Sequence, residues 1–195
     1  AVKSTPDTPS SPSRSKSRGA GRNGADDSIA TFMAQWRAEK PGLDISPLGV
    51  LGRVQRLSIY FRDRAEEWLK PMDLTWESFS ILAALRRSGK PYELRPTDMY
   101  REALLSSGAI TNRIDGVERK GWVERRHDTV DRRVTIVRLT PAGKAVVDKA
   151  IDIHFRELSK LLGGLTRGDR DELGTLLGKL LATFENERAD GEAGD

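Results

Sequence analysis

The sequence has no cysteine and only two histidines, His127 and His154, among its 195 residues. Disulfide bonds, thiolate metal sites and cysteine redox sensing are therefore excluded. A zinc site needs more donors than two histidines that lie far apart in the sequence can supply. We therefore predict no metal site and no cofactor.

Long apolar runs are also missing. No segment approaches the roughly 18 apolar residues of a membrane span, and no signal-peptide core is present near the first residue. The sequence also lacks a Gly-rich phosphate loop, a serine nucleophile elbow and an HExxH-type pair. These absences favour a cytoplasmic protein with no membrane partner, and they argue against an enzyme, the second class of function considered.

The net charge of +4 is unevenly distributed along the chain. Residues 1–24 carry a charge of +4 and residues 86–138 carry +5, whereas residues 25–85 carry −2 and residues 139–195 carry −3. A cationic block within an otherwise mildly acidic chain is typical of a protein that binds a polyanion.

Composition divides the chain into five segments. Residues 1–25 are rich in Ser, Pro, Gly and Arg, which predicts a disordered basic tail, either a solubilising extension or a phosphate-binding arm. Residues 187–195 are predicted to form a second disordered tail. Between the tails we expect N-terminal helices (26–71), a compact lobe (72–140) and C-terminal helices (141–186). Ser46 and Thr140 are predicted to cap helices. Another helix is predicted to open at Thr75 and to bury Phe79, Leu82 and Leu85.

The segment from Leu94 to Gly143 is the most informative. A helix is predicted to begin at Pro96-Thr97-Asp98. After the small-residue turn Ser106-Ser107-Gly108, a second short helix runs to Lys120 and ends at Gly121. Its buried side is predicted to carry Ile110, Ile114 and Val117. Two short helices joined by such a turn form a helix-turn-helix unit.

A period of two replaces the helical pattern after Gly121. It predicts strands at 122–126 and 134–139, with a polar hairpin tip between them. The predicted fold is therefore mainly α with a small β-wing, a winged helix-turn-helix. A helix fits the major groove of B-DNA, where Thr111, Asn112 and Arg113 can bond base edges. Arginines at a hairpin tip can enter the minor groove. By itself, however, Arg125-Arg126 is most simply a solvated charged face.

These motifs resemble the MarR family of transcription regulators. The wing signature is Asp128-Thr129-Val130-Asp131-Arg132-Arg133, followed by Leu139-Thr140-Pro141-Ala142-Gly143. The second helix matches at Thr111-Asn112-Arg113-Ile114 and Glu118-Arg119-Lys120-Gly121. The resemblance runs from about Trp36 to Phe184.

The resemblance implies a set of DNA contacts. Arg133 matches the wing arginine of the minor groove, and Asp131 matches the carboxylate that orients it by a salt bridge. Arg95 stands where the family often has a Ser or Thr cap, and it adds a phosphate contact. The remaining predicted contacts to bases and phosphates are Ser106, Ser107, Thr111, Asn112, Arg113 and Arg132.

A small-molecule effector, anionic or aromatic, is also implied. Residues 36–44 resemble the branch with an extra N-terminal helix, which includes urate-responsive regulators. Trp36, Arg87 and Arg125 match its ligand set, but Ser80 replaces an expected Asp, which argues against urate itself. Two alternatives stay open, namely that Trp36 is a core or interface aromatic and that Arg87 makes a phosphate contact or an internal salt bridge.

The predicted helices at both chain ends are more apolar than one small lobe can cover. The resemblance implies that they interlock with a second copy in a two-fold dimer; a monomer with a long helical core is the alternative. Two recognition helices on one duplex face predict a pseudo-palindrome with half-sites about 10 bp apart. A winged helix can also serve as a protein–protein module without binding DNA, and that is the alternative function.

Overall fold

A computed structural model of the chain describes residues 27–102, 110–128 and 131–192. The predicted tail 1–25 lies outside these residues. The described residues divide into two compact units, one that ends at residue 59 and one that begins at residue 60. In chain order the elements are α1 (Ser28–Glu39), α2 (Ser46–Leu69), a 3-10 turn (Lys70–Met72), α3 (Trp76–Arg87), β1 (Glu93–Leu94), α4 (Pro96–Glu102), α5 (Ile110–Arg119), β2 (Val123–His127), β3 (Thr135–Leu139), α6 (Pro141–Leu161) and α7 (Arg167–Glu192).

The first unit pairs α1 with the first turns of α2. Asp27 caps α1, since its Oδ1 accepts hydrogen bonds from the backbone N–H groups of Ile29 and Ala30 at 2.9 and 2.8 Å. Its Oδ2 accepts a third from Arg53 Nε at 2.8 Å. The bond from Arg53, followed by those from the backbone, lowers the pKa of the Asp27 carboxyl below its usual range.

Helix α2 begins one residue earlier than predicted. Ser46 was expected to cap this helix, but it is the first helical residue. Asp44 Oδ1 accepts the backbone N–H of Ser46 at 2.9 Å, so the carboxylate two residues upstream satisfies this donor.

The core of the second unit surrounds α3. Thr75 caps this helix as predicted, because its Oγ1 accepts the backbone N–H of Ser78 at 3.2 Å. The predicted core positions Phe79, Leu82 and Leu85 are buried. The rest of the cluster comes from α2, α4, α5, the sheet and α6, and it includes Leu69, Met99, Ile114, Val117, Val137 and Val147.

The sheet has the strand order β1-β3-β2, and both pairings are antiparallel. The predicted strands of the wing are confirmed. The sequence analysis missed β1, whose two residues pair with β3 in the register Glu93↔Arg138 and Leu94↔Val137. A strand this short has no periodicity of its own, so only its partner defines it.

The wing joins α6 at a tight contact between Gly143 and Trp122. Thr140 caps α6 through the backbone N–H of Gly143 (3.0 Å), and its own backbone N–H donates to the carbonyl oxygen of Trp122 (3.0 Å). A Cβ on Gly143 would lie 1.9 Å from that oxygen. Only glycine fits this position, which fixes the beginning of α6 on the wing.

The last helix, α7, extends to Glu192. This is beyond residue 186, the last residue of the predicted C-terminal helices, and the residues 187–192 that were assigned to the second tail are helical. Glu, Ala and Arg dominate this stretch, and all three are good helix formers. No helix in the described part of the chain is long and apolar enough to cross a membrane.

Candidate nucleic-acid interface

Helix α5 presents one apolar and one polar face, as predicted. Ile114 and Val117 are buried against the core, and Ile110 is half-buried. Thr111 and Asn112 are exposed, as is Arg119 further along the helix. Gly116 shares this outer face, and a Cβ there would meet nothing within 4 Å. The outer face of α5 therefore offers hydroxyl, amide and guanidinium groups around a position without a side chain.

Arg113 does not point outward as expected. It is half-buried, and its Nη1 is buried with no hydrogen-bond partner in the described part of the chain. The charge of Arg113 acts on Glu77 of α3. Burial opposes the ionisation of Glu77, but a backbone hydrogen bond and the charges of Arg62 and Arg113 lower the pKa of this carboxyl overall. Position 113 lies on the flank of α5, next to the buried face, so its long side chain is partly buried.

The wing places two arginines at the end of the hairpin. Strands β2 and β3 pair from Val123↔Leu139 to His127↔Thr135. Arg132 and Arg133 follow in the turn and are exposed. Thr129 and Val130 lie outside the described residues.

Asp131 supports the turn in a different way from the predicted salt bridge. Its Oδ1 accepts the backbone N–H of Arg133 at 2.9 Å. A short carboxylate two residues before an N–H closes an Asx turn. Asp131 therefore orders the backbone of the tip and leaves the Arg133 guanidinium exposed.

Three further predicted DNA contacts, Arg95, Ser106 and Ser107, lie at the beginning and in the predicted turn of the helix-turn-helix segment. Arg95 is exposed directly before α4, and its carbonyl oxygen accepts the backbone N–H groups of Asp98 and Met99 at 3.0 and 3.1 Å. Ser106 and Ser107 lie outside the described residues.

Ion pairing separates the arginines of the sheet, the wing tip and the start of α4 into two groups. Arg126 and Arg138 both pair with Glu93 on β1, and Arg125 pairs with Asp115 and Glu118 on α5. Arg95, Arg132 and Arg133 form no ion pair with any described residue. The second group is therefore the one available to phosphates.

A cavity of about 750 Å³ lies between α3 and α6. Ser80 and Arg87, two of the predicted ligand residues, line it. Ser80 is buried, and its hydroxyl donates to the carbonyl oxygen of Trp76 at 2.8 Å. Arg125 is not among the described residues that line this cavity, and Trp36 belongs to the first unit, where it is 47% exposed.

Sequence reasoning missed an ion pair in the cavity wall, formed by Arg86 and Asp148. Arg86 Nε donates to Asp148 at 2.6 Å, and Lys144 Nζ donates to the same carboxylate at 2.5 Å. The bonds from Lys144 and Arg86 lower the pKa of Asp148. Only the i,i+4 spacing of Lys144 and Asp148 was visible in the sequence, because Arg86 is 62 positions away from Asp148.

His154 was also missed. Its ring lies 4.9–5.8 Å, between centroids, from the rings of Trp68, Trp76, Phe79 and Phe155. Trp68 Nε1 donates to His154 Nδ1 at 3.3 Å, so this nitrogen acts as an acceptor in the neutral imidazole. Burial in this aromatic surrounding lowers the pKa of His154 below its ordinary value of 6.5.

We expect the free energy of unfolding to fall as the pH decreases from about 7.5 to about 5.5. The unfolded chain binds a proton at His154 near its ordinary pKa, whereas the folded chain resists protonation. The contribution of His154 to the free energy of unfolding is therefore fully present above this ordinary pKa and decreases below it. Urea unfolding followed by tryptophan fluorescence at several pH values measures the effect.

Two variants isolate the contribution of His154. His154→Phe should reduce the pH dependence, and His127→Gln, a change at the second, exposed histidine, is the comparison. Asp148 does not obscure this window, because its pKa lies below the ordinary 3.8 of an Asp carboxyl. An unchanged slope in His154→Phe would contradict the assignment.

Comparison with known proteins identifies the family. The MarR family model matches residues 74–135. The HTH-type transcriptional regulator PecS of Dickeya dadantii is 29% identical over 160 residues, which cover 82% of this chain and 96% of PecS. The multiple antibiotic resistance protein MarR of Escherichia coli is 30% identical over 133 residues, which cover 67% of this chain and 90% of MarR. The chain belongs to the MarR family.

Structural comparison agrees with this assignment. A mutant of Escherichia coli MarR, solved in complex with operator DNA, has a TM-score of 0.61 and 26% sequence identity, and the similarity covers 75% of this chain and 97% of that chain. This MarR-family protein is thus a helix-turn-helix, DNA-binding transcription regulator, and the family acts as dimers. The predicted fold class and family are confirmed.

Proposed function

We propose that this protein is a repressor that binds a pseudo-palindromic operator as a dimer and is released by a small anionic or aromatic effector. The observation that carries the proposal is the position of Arg132 and Arg133, exposed at the tip of the wing and free of ion pairs with described residues. Unpaired arginines on a narrow hairpin suit the minor groove, where the potential is most negative at A·T-rich steps.

The polar face of α5 is proposed to read the major groove. Thr111 and Asn112 are exposed near its beginning, and Asn suits the N6 and N7 edge of adenine. Arg95, exposed before α4, supplies a phosphate contact that fixes the register without reading sequence. We do not assign a base contact to Arg113, because its Nη1 is buried.

Exposed apolar side chains in each unit support the proposed dimer surfaces. In the first unit, Phe32, Val50, Leu51, Val54 and Leu57 are 39–56% exposed. In the second unit, Leu173, Leu176, Leu177, Leu181 and Phe184 of α7 are 40–56% exposed. Contiguous exposed apolar surface of this kind marks an interface. We propose that residues 26–71 and 141–186 form the dimer and that residues 72–140 bind DNA, with half-sites about 10 bp apart.

Selection of bound sites from a random duplex pool tests the proposal. We expect a two-fold symmetric motif, and an affinity that falls with salt at a log–log slope of about −0.9 for each phosphate neutralised. Binding that is equal for all duplexes and for heparin would contradict it. In that case the lobe would be a protein–protein module or a general polyanion binder.

The cavity between α3 and α6 is the proposed effector site. Arg87 supplies a cation, and Trp76, Phe79 and Phe155 supply aromatic surface. The cavity lies between a helix of the DNA-binding lobe and a dimer helix, so a ligand there can favour one spacing of the recognition helices. About 5.5 kcal/mol of preference would shift the population from 99:1 to 1:99.

Arg87→Ala is expected to weaken the binding of benzoate, the simplest aromatic carboxylate, by roughly tenfold, as expected for the loss of one charged hydrogen bond. Isothermal titration calorimetry measures this effect, and Arg87→Lys should keep part of the affinity. Arg64→Ala, a change on an exposed helix surface, is the control. Equal affinities for wild type and Arg87→Ala would remove Arg87 from the site.

We further propose that the protein acts in the cytoplasm, where its DNA is, and that it carries no catalytic activity. The tail of residues 1–25 remains a predicted solubilising extension or phosphate-binding arm. Trp36 remains a predicted ligand residue.

A further inference from the structure

Arg125 on β2 binds α5 through several contacts along one edge of that helix. Its backbone N–H donates to Glu118 Oε1 at 3.0 Å. Its guanidinium donates to Glu118 Oε2 and Asp115 Oδ1, and Nη2 lies 3.5 Å from the carbonyl oxygen of Thr111. Residues 111, 115 and 118 follow the i, i+4, i+7 spacing, so one arginine spans two turns of the helix.

We propose that Arg125 is a positioning residue, which holds the recognition helix against the wing so that the two DNA readers dock as one body. Helix α5 has only ten residues, and a helix this short depends on tertiary contacts for its position. A guanidinium fork that binds two carboxylates fixes orientation as well as distance. The proposal rests on the proposed function, in which α5 and the wing read one duplex.

The contacts of Arg125 do not suit the ligand role predicted from the sequence. Its side chain is 27% exposed, and two carboxylates already compensate its charge. An anionic effector would have to compete with both. The arrangement also neutralises Asp115 and Glu118, which would otherwise bring two negative charges toward the DNA phosphates.

The neighbouring residue provides a matched control. Arg126 follows Arg125 on the same strand, points to the opposite face and pairs with Glu93 of β1 instead of α5. Loss of either arginine removes one positive charge from almost the same place. Only the loss of Arg125 detaches the recognition helix.

The test compares affinity for a selected operator with affinity for random duplex DNA. Arg125→Ala should lower this selectivity roughly tenfold, similar to the loss of one specific contact. Its salt slope should stay close to that of wild type, because no phosphate contact is lost. Arg126→Ala should leave selectivity within about threefold. Arg125→Lys should recover part of the loss, since an ammonium can reach one carboxylate but cannot bridge two.

Three results would overturn the proposal. The first is an equal loss of affinity on both duplexes with a slope reduced by about 0.9, which would make Arg125 a phosphate contact. The second is selectivity unchanged in Arg125→Ala. The third is full recovery when Asp115→Asn and Glu118→Gln are added to Arg125→Ala, which would reduce its role to charge neutralisation.

A second variant and the selectivity of wild type distinguish failure of the positioning role from failure of the proposed function. If Arg125→Ala does not fold, Asp115→Asn removes one arm of the contact on its own and should lower selectivity by a smaller factor. If wild type itself shows no selectivity, the proposed function has failed. If wild type is selective and both Arg125→Ala and Asp115→Asn match it, only the positioning role has failed.

Discussion

Gly143→Ala is expected to lower the free energy of unfolding by about 3 kcal/mol or more. The added Cβ would lie 1.9 Å from the carbonyl oxygen of Trp122, which is a backbone atom and cannot rotate away. Relief requires α6 and the wing to separate. That movement breaks the bond from Thr140 N–H to the Trp122 carbonyl and weakens the cap of α6.

Urea unfolding, followed by tryptophan fluorescence, measures the change. Gly116→Ala provides the matched control, because it makes the same substitution where a Cβ meets nothing within 4 Å. Its expected effect is opposite in sign, a gain of up to about 1 kcal/mol, because alanine is the better helix former. Equal unfolding midpoints for wild type and Gly143→Ala would contradict the close contact.

Arg133→Ala is expected to cost about 1–3 kcal/mol of operator affinity and to relax the preference for A·T-rich flanks. The guanidinium is exposed at the tip and has no ion pair among described residues, so its removal leaves no buried charge behind. The loss should therefore appear in DNA binding and not in stability. Fluorescence anisotropy on operators with A·T and G·C flanks measures both effects.

Arg167→Ala is the control for charge alone. Arg167 begins α7, its side chain is 96% exposed, and its removal lowers the net charge by the same amount. Its effect on affinity should be small and equal for both operators. If the two variants behave alike, Arg133 acts only through net charge and the wing does not enter the groove.

Local chemistry made much of this fold predictable. Thr75 and Thr140 were recognisable as caps, and both accept the expected backbone N–H. The apolar spacing of Ile114 and Val117 identified the buried side of α5. Each of these signals lies within a few residues of the structure that it specifies.

What could not be predicted depends on partners distant in the sequence. Glu93 is recognisable as part of a strand only through its pairing with Arg138 of β3. Arg113 lies next to the buried face of α5, and only the packing of the folded chain shows that its Nη1 is buried. The ligand residues predicted from the resemblance also depend on partners that are distant in the sequence. Ser80 and Arg87 line one cavity, whereas Arg125 is held by two carboxylates of α5, which spacing alone does not show.

The strand order β1-β3-β2 leaves β1 and β2 at the two borders of the sheet. Unpaired backbone groups at a border can recruit strands from other molecules and start aggregation. Strand β1 offers only two residues, and β2 carries the consecutive charges Glu124, Arg125 and Arg126. The wing that is proposed to bind DNA thereby also protects the protein from sheet-to-sheet association.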